Sequence, residues 1–239
     1  MRKMLGKLIF ASQTSTRVQS AVQSLMGGPR LETVRFRDGH LFDCFTSEKY
    51  WWLRDSYEPS ERRELEACLK PDSILFDVGA HAGFWAVILA SKCRHIYAFE
   101  PSPLNFDRLD RNIRQNQIAN VTAVPAAASN QTAVLRCAEN GSMSHLAEKG
   151  VEVKAIQLDD YAAGHDSPNV VKIDIEGHAG AALSGMRRTL SESKPVLFLE
   201  LHSRDEVREC RAVLHNLGYK LVRLGSKTGF PYFCRAAVN

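Results

Sequence analysis

The chain has 239 residues, of which 44% are hydrophobic and 24% are charged, and its net charge is +4. These values are typical of a soluble globular protein with one sizeable core, and so mild a charge does not by itself indicate nucleic-acid binding. The six cysteines are scattered without a C-x-x-C pair, which gives no support to a zinc ribbon or a thioredoxin-like site and favours a reducing cytosol. No apolar run reaches the roughly 20 residues of a membrane span.

The first 28 residues are basic and rich in serine, and the first acid of the chain is Glu32. Lys7 interrupts the one apolar run, which argues against a secretory signal. Such a segment fits a helix at a chain end, a transit peptide, or a peripheral contact with the inner face of an anionic membrane. We expect residues 1–70 to form an amphipathic, helical and substrate-side portion that ends in a helix near 61–69, and residues 71–239 to form the main domain.

From residue 71 onward, strand-like and helix-like runs alternate. The predicted strands cover residues 74–77, 95–100, 121–127, 133–138, 151–158, 169–176 and 195–202, and an antiparallel pair at 219–224 and 232–238 closes the chain. The predicted helices cover residues 84–93 and 102–117, a stripe of Leu183, Met186 and Leu190, and a segment that begins at a capping box of Ser203 and Glu206. This alternation predicts an α/β fold with a mostly parallel sheet covered on both faces, and a ligand site beyond the carboxyl ends of the strands.

The stretch ILFDVGAHAGFWAV predicts a strand, a tight turn and a helix. Asp77, Gly79 and Gly83 let the backbone turn sharply and approach a ligand closely. A dinucleotide fingerprint would place glycines where His81 and Phe84 stand, so the loop fits a smaller zwitterion better than a pyrophosphate.

Glu100 ends the next strand, 23 residues after Asp77. A carboxylate in this place can accept hydrogen bonds from both hydroxyls of a ribose, as in nucleotide-binding folds generally. Together with the loop, it indicates a nucleoside site.

Acids and histidines also follow two later strands. VVKIDIEGH carries Asp174, Glu176 and His178, and VLFLELH carries Glu200 and His202. Charges in apolar runs are costly unless they are paired or functional, so we expect both clusters to line the site. The residues leave open whether they provide a general base, a divalent metal site or structural ion pairs.

Taken together, DVGAHAG, FEPSPLNFDRLDRN, the LDDY before VVKIDIEGHAGAALSGM, and ELH resemble the FkbM-type S-adenosylmethionine-dependent methyltransferases, from about residue 57 to the end. The resemblance implies a class I methyltransferase fold, which is a Rossmann-like three-layer sandwich with a mostly parallel seven-stranded sheet and an antiparallel last strand. It makes residues 71–239 the S-adenosylmethionine-binding methyltransferase domain. It also implies O-methylation of a hydroxyl on a small molecule, sugar or glycoconjugate. Separately, the modest net charge and the absence of an obvious basic tract past the N-terminus argue against nucleic acid as the acceptor.

The resemblance also implies the roles of individual residues. The cofactor would contact Asp77, Gly79, Ala80, His81, Gly83, Glu100, Pro101, Ser102, Ala127 and Asp174. The catalytic set follows from the chemistry rather than from the resemblance: a hydroxyl acceptor needs a base, for which His178 and His202 are our candidates, with Glu176 and Glu200 orienting them or holding a cation and Asp174 near the methyl donor. The chain departs from the family in having His81 where Asn is usual and Ala179 where a second acid is usual.

Two other function classes share parts of this pattern. A nucleotide-dependent oxidoreductase of the Rossmann type would keep the sheet and Glu100, but it fits less well at His81 and Phe84. A binding-only domain would keep the cofactor pocket without turnover. Base methylation in nucleic acids usually accompanies an N/D-P-P-aromatic motif, whereas this strand end reads D-I-E-G.

Overall fold

The structure is a computed structural model, and it describes residues 30–46, 48, 59–139, 144–225 and 229–238. The predicted amphipathic segment at residues 1–28 lies outside the described residues. No helix in the described part of the chain is long and apolar enough to cross a membrane.

A seven-stranded sheet forms the centre of the molecule. Its strands are β3 (Ile74–Val78), β4 (His95–Phe99), β5 (Val121–Val124), β10 (Val170–Ile173), β11 (Val196–Leu201), β12 (Tyr219–Arg223) and β13 (Tyr232–Val238). The order across the sheet is β12-β13-β11-β10-β3-β4-β5. Strand β13 is antiparallel to both neighbours, and the other pairs are parallel, which confirms the predicted closing antiparallel pair.

Seven α-helices in the described residues accompany the sheet. They are α1 (Pro59–Cys68), α2 (Phe84–Leu89), α3 (Pro103–Gln115), α4 (Leu158–Ala163), α5 (Ala179–Ser184), α6 (Arg187–Glu192) and α7 (Arg204–His215). Because side chains alternate along a strand, Phe76 packs in a core with α4, α5, α6 and α7, while the adjacent Leu75 packs with α1, α2 and α3. The result is a three-layer sandwich with a hydrophobic core on each face of the sheet.

Two smaller sheets complete the fold. The strands β6 (Ala127–Ala128), β7 (Ala133–Ala138), β8 (His145–Leu146) and β9 (Val151–Ile156) form a sheet in the order β6-β9-β7-β8. The strands β1 (Leu31–Arg35) and β2 (Leu41–Phe45) form an antiparallel hairpin that sequence analysis did not predict. Phe42 of this hairpin is fully buried in the core that contains α2 and α3.

Three predicted helices differ from the observed ones. The helix at residues 84–93 is α-helical only to Leu89 and continues as a 3-10 turn, Ala90–Lys92. The stripe of Leu183, Met186 and Leu190 is fully buried as predicted, but it spans two helices, because the chain bends at Gly185 against the carbonyl oxygen of Ser129.

The third difference concerns the predicted capping box. Ser203 Oγ accepts the Glu206 N–H at 3.1 Å, as expected. The Glu206 carboxylate, however, accepts the N–H of His202 rather than that of Ser203.

The predicted strand at residues 169–176 is also too long. It ends at Ile173, and Gly177 (φ +73°) lies in the turn that leads into α5. Strand alternation over the predicted length would place Lys172, Asp174 and Glu176 on one side; in the structure Lys172 Nζ donates to Asp174 Oδ2 at 3.1 Å, whereas Glu176 is exposed in the turn.

Candidate active site

A cavity of about 210 Å³ opens at the carboxyl ends of β3 and β10. The strand order reverses here, since β4 lies on one side of β3 and β10 on the other. Ligands of open α/β sheets bind at such a reversal. The lining residues include the predicted Gly79, Ala80, His81, Glu100, Pro101, Ala127, Asp174, Glu176, His178, Glu200 and His202.

The glycine loop lies directly against the end of β10. Gly79 has φ +84°, and a Cβ on it would come within 2.0 Å of the carbonyl oxygen of Asp174. The Asp174 N–H donates to the Val78 carbonyl at 2.9 Å, which extends the pairing of the two strands to this point. Glycine at position 79 is therefore required by the close packing of two chain segments.

Gly83 and Ser102, both in the predicted cofactor set, are absent from the lining. Gly83 (φ +85°) packs against Leu109, which a Cβ would approach to 2.6 Å. Ser102 is fully buried and caps α3 by accepting the Asn105 N–H. Both residues support the site structurally without lining the cavity.

Glu100 is buried and fixes the loop from the β4 side. Its carboxylate accepts the His81 N–H and the Ser102 N–H, each at 2.9 Å. Burial raises the pKa of Glu100 to about 7, although the hydrogen bonds from Ser102, His81 and Asn105 oppose this rise. The carboxylate keeps acceptor capacity for a ligand, since each oxygen has two lone pairs.

Asp77 is fully buried next to the lining residues, and neither of its carboxylate oxygens has a hydrogen-bond partner in the described part of the chain. Burial raises the pKa of Asp77 to about 6, with Lys172 acting in the opposite direction. Lys172 Nζ lies 4.0 Å from Asp77 Oδ1 and 3.1 Å from Asp174 Oδ2. The buried lysine thus lies between two of the predicted site acids, and it faces the ring of Trp85 at 5.9 Å.

His202 is surrounded by carboxylates. Its Nε2 lies 3.8 Å from Asp174 Oδ1 and 4.0 Å from Glu200 Oε1, and its Nδ1 lies 3.7 Å from Glu206 Oε2. Burial lowers the pKa of His202, but Glu206, Asp174 and Glu200 outweigh burial, so that the pKa lies above its usual value. The ring is therefore more basic than a free histidine.

Glu206 was predicted only as a helix cap, yet it joins two parts of the site. It accepts the N–H of His202 at 2.7 Å and the N–H of Ala179 at 3.2 Å. Burial acts to raise the pKa of Glu206, but the His202 side chain, together with these two N–H groups, holds the pKa below its usual value. A charged Glu206 therefore links the end of β11 to the start of α5.

His178 has different surroundings from His202. Its Nε2 lies 3.1 Å from Ser129 Oγ, while Glu176, which was expected to orient it, is exposed. Burial lowers the pKa of His178 despite the nearby Glu206 and Glu209. The structure thus brings Asp174, Glu200 and His202 together, with one ligand atom from each lying within 4.8 Å of the others, and places His178 beside Ser129.

Sequence analysis did not place several lining residues in the site. They include Trp85, Asn105, Ser144, His145, Leu146 and Lys172. The charge of Lys172 inside an apolar strand was a signal that could have identified it. His145 and Leu146 gave no such signal, because the pairing of β8 with β7 brings them to the cavity.

Residues 77–221 match the family model described as the methyltransferase FkbM domain. The hexuronic acid methyltransferase AglP of Haloferax volcanii is 31% identical over 172 residues, which cover 68% of this chain and 70% of AglP. The chain belongs to the FkbM methyltransferase family.

Solved structures agree with this family at the level of the fold. A methyltransferase FkbM from Methylobacillus flagellatus superposes with a TM-score of 0.53 at 19% identity, over 78% of this chain and 47% of that one. The M. jannaschii protein TYW2 in complex with AdoMet gives a TM-score of 0.51 at 15% identity, over 86% and 84% of the two chains. The predictions of the family, of a class I methyltransferase fold and of S-adenosylmethionine as the cofactor are confirmed.

Proposed function

We propose that the chain transfers the methyl group of S-adenosylmethionine to a hydroxyl of a sugar or glycoconjugate. The observation that carries the proposal is the position of His202, a basic imidazole that lines the cavity among three carboxylates. The similarity to a protein named as a hexuronic acid methyltransferase supports a sugar as the acceptor. The family match disfavours the alternative of a nucleotide-dependent oxidoreductase.

The residues around the glycine loop fit the cofactor. Asp77 offers a buried carboxylate without a hydrogen-bond partner in the described residues, which suits the ammonium group of the methionine part. Gly79, Ala80 and His81 line the cavity beside it, and Glu100 would hold the ribose hydroxyls. Ala127 would border the adenine.

When bound, S-adenosylmethionine would supply a methyl group activated by its sulfonium, with S-adenosylhomocysteine as the leaving group of an in-line displacement by the acceptor oxygen. The protein must remove the proton of the acceptor hydroxyl, which is otherwise a weak nucleophile. His202 would accept this proton, and the charges of Asp174, Glu200 and Glu206 would stabilise the resulting imidazolium. The proton can then pass to solvent, since the His202 side chain is 23% exposed.

A transfer assay with labelled S-adenosylmethionine tests the acceptor class. We expect label in the ether-linked methyl groups of uronic acid or hexose glycans and none in bulk tRNA. Transfer to tRNA alone would contradict the sugar assignment. Cofactor binding without transfer to any acceptor in a wide glycan panel would favour the binding-only alternative.

Single substitutions separate the two candidate bases. We expect His202→Ala to lower kcat by about 10²-fold or more, as general bases typically contribute, with unchanged affinity for S-adenosylhomocysteine. The exposed His215→Ala serves as the matched control, and His178→Ala should have a smaller effect because the pKa of His178 is lowered. The kcat of the wild type should fall as the pH drops below the raised pKa of His202. Full activity in both His178→Ala and His202→Ala would exclude the two histidines as bases.

Residues 1–28 carry basic side chains and no acid, so we also propose that they bind an anionic membrane surface. Flotation with anionic liposomes should recover the full chain and lose the chain that lacks these residues. Equal recovery of both chains would refute the contact.

A further inference from the structure

The hairpin β1–β2 and Glu48 lie before the part of the chain that matches the family model. Two buried polar connections nevertheless join them to the glycine loop at residues 79–83. One connection passes through Asn112 of α3, and in the other Glu48, which is paired with Arg108 of α3, approaches His81 of the loop directly.

The first connection is a single amide. Asn112 is fully buried, and its Oδ1 accepts the Asp43 N–H of β2 at 2.7 Å. Its Nδ2 donates to the Ala82 carbonyl at 2.8 Å. A buried amide with both ends occupied fixes the distance between the two backbones, because loss of either bond would leave a buried polar group unsatisfied.

The second connection carries charge. Glu48 pairs with Arg108 of α3, and both side chains are almost fully buried. Arg108 also lies over the ring of Phe45, with Cζ 4.4 Å from the ring centroid. Glu48 Oε1 lies 3.6 Å from Nε2 of His81, so the ion pair contacts the side chain of the loop residue whose backbone N–H Glu100 accepts.

His81 needs such support. Its φ is +51°, a left-handed conformation that non-glycine residues adopt only when their surroundings enforce it. Burial, with Arg108 and Lys172 nearby, lowers the pKa of His81 to about 3. The ring is therefore neutral at ordinary pH, and Glu48 meets an imidazole rather than an imidazolium.

We propose that Glu48 and Asn112 hold the glycine loop in its cofactor-binding conformation, which makes the N-terminal hairpin part of the cofactor site. Glu48 is a positioning residue that acts through His81. The inference rests on the proposed placement of S-adenosylmethionine on residues 79–83.

Calorimetric titration of the full chain with S-adenosylhomocysteine tests the proposal. We expect Glu48→Gln to raise the Kd about tenfold. Because this change leaves Arg108 buried without its partner, Glu48→Gln with Arg108→Met serves as a second variant that removes both charges. The control is Glu66→Gln, which removes a half-buried glutamate–arginine pair elsewhere in the N-terminal portion.

A double-mutant cycle distinguishes positioning from a general loss of stability. If Glu48 acts through His81, then Glu48→Gln should add less than twofold to the Kd of His81→Ala, whereas independent effects would multiply. The KM for S-adenosylmethionine should rise while kcat at saturation stays within about twofold of the wild type. A Kd of the double variant Glu48→Gln with Arg108→Met within twofold of the wild type would overturn the proposal, and so would multiplying effects. If the wild type itself failed to bind, the cofactor placement would be wrong instead.

Discussion

Replacing Gly79 by alanine tests the contact between the glycine loop and β10. The new Cβ would lie 2.0 Å from the Asp174 carbonyl oxygen and 2.8 Å from Ile175 Cγ2, in a residue with φ +84°. The left-handed conformation costs about 1–2 kcal/mol for alanine, and overpacking adds about 1–3 kcal/mol. We therefore expect the free energy of unfolding to fall by roughly 2–5 kcal/mol.

Gly218→Ala is the matched control. Gly218 has φ +76°, but nothing lies within 4 Å of the position of its Cβ, so only the conformational cost of about 1–2 kcal/mol applies. Urea denaturation measures both variants, and calorimetric titration measures their affinity for S-adenosylhomocysteine. Only Gly79→Ala should weaken binding, by tenfold or more, because the loop and Asp174 must move apart. Equal destabilisation by the two substitutions, or unchanged affinity in Gly79→Ala, would refute the reasoning.

Two further results are expected. Burial raises the pKa of Glu100 to about 7 from 4.5, so between these pH values the folded chain holds a proton that the unfolded chain has lost. The contribution of Glu100 to stability is therefore full below pH 4.5 and falls by on the order of 3 kcal/mol as the pH rises through 7. Urea denaturation of the wild type and of Glu100→Gln at pH 5 and pH 8 measures this fall. An equal change in the free energy of unfolding of the two proteins would contradict the prediction. The methyltransferase activity should persist in EDTA, because Lys172 already places a positive charge 3.1 Å from Asp174. If EDTA abolished the activity and Mg²⁺ restored it, the cluster of Asp174, Glu200 and His202 would be assigned to a metal.

Much of the sheet could be predicted because its pattern is local. The buried strands β3, β10 and β11 read as apolar runs, and the closing pair showed turn signals between two strand-like segments. The hairpin β1–β2 was missed, because its first strand buries only Val34 and shows no clear alternation. Its stability comes from packing against α3, and the local sequence pattern does not show that contact.

The residues of the candidate site also divide into those that local sequence patterns predict and those that they do not. Strand ends and glycines placed Asp77, Gly79 and Glu100 at one edge of the sheet, since parallel strands end together. Sequence analysis paired each histidine with the acids of its own segment. The structure places His202 beside Glu200 of its own segment, as predicted, but also beside Asp174 at the end of the neighbouring strand, and it places His178 beside Ser129. Those added contacts depend on strand order and on how α5 leaves β10.

Local sequence patterns suffice to predict the parallel sheet, the turn after β3 and the acids at the strand ends, because these follow from hydrophobic periodicity and from glycine positions. The surroundings of each charge, in contrast, depend on how distant segments pack together. Glu48 meets Arg108 across 60 residues of sequence, and Lys172 meets Asp77 across paired strands. Such long-range contacts set the pKa values of Asp77, His81 and His202, since burial and neighbouring charge, rather than residue type, fix how readily each side chain is ionised.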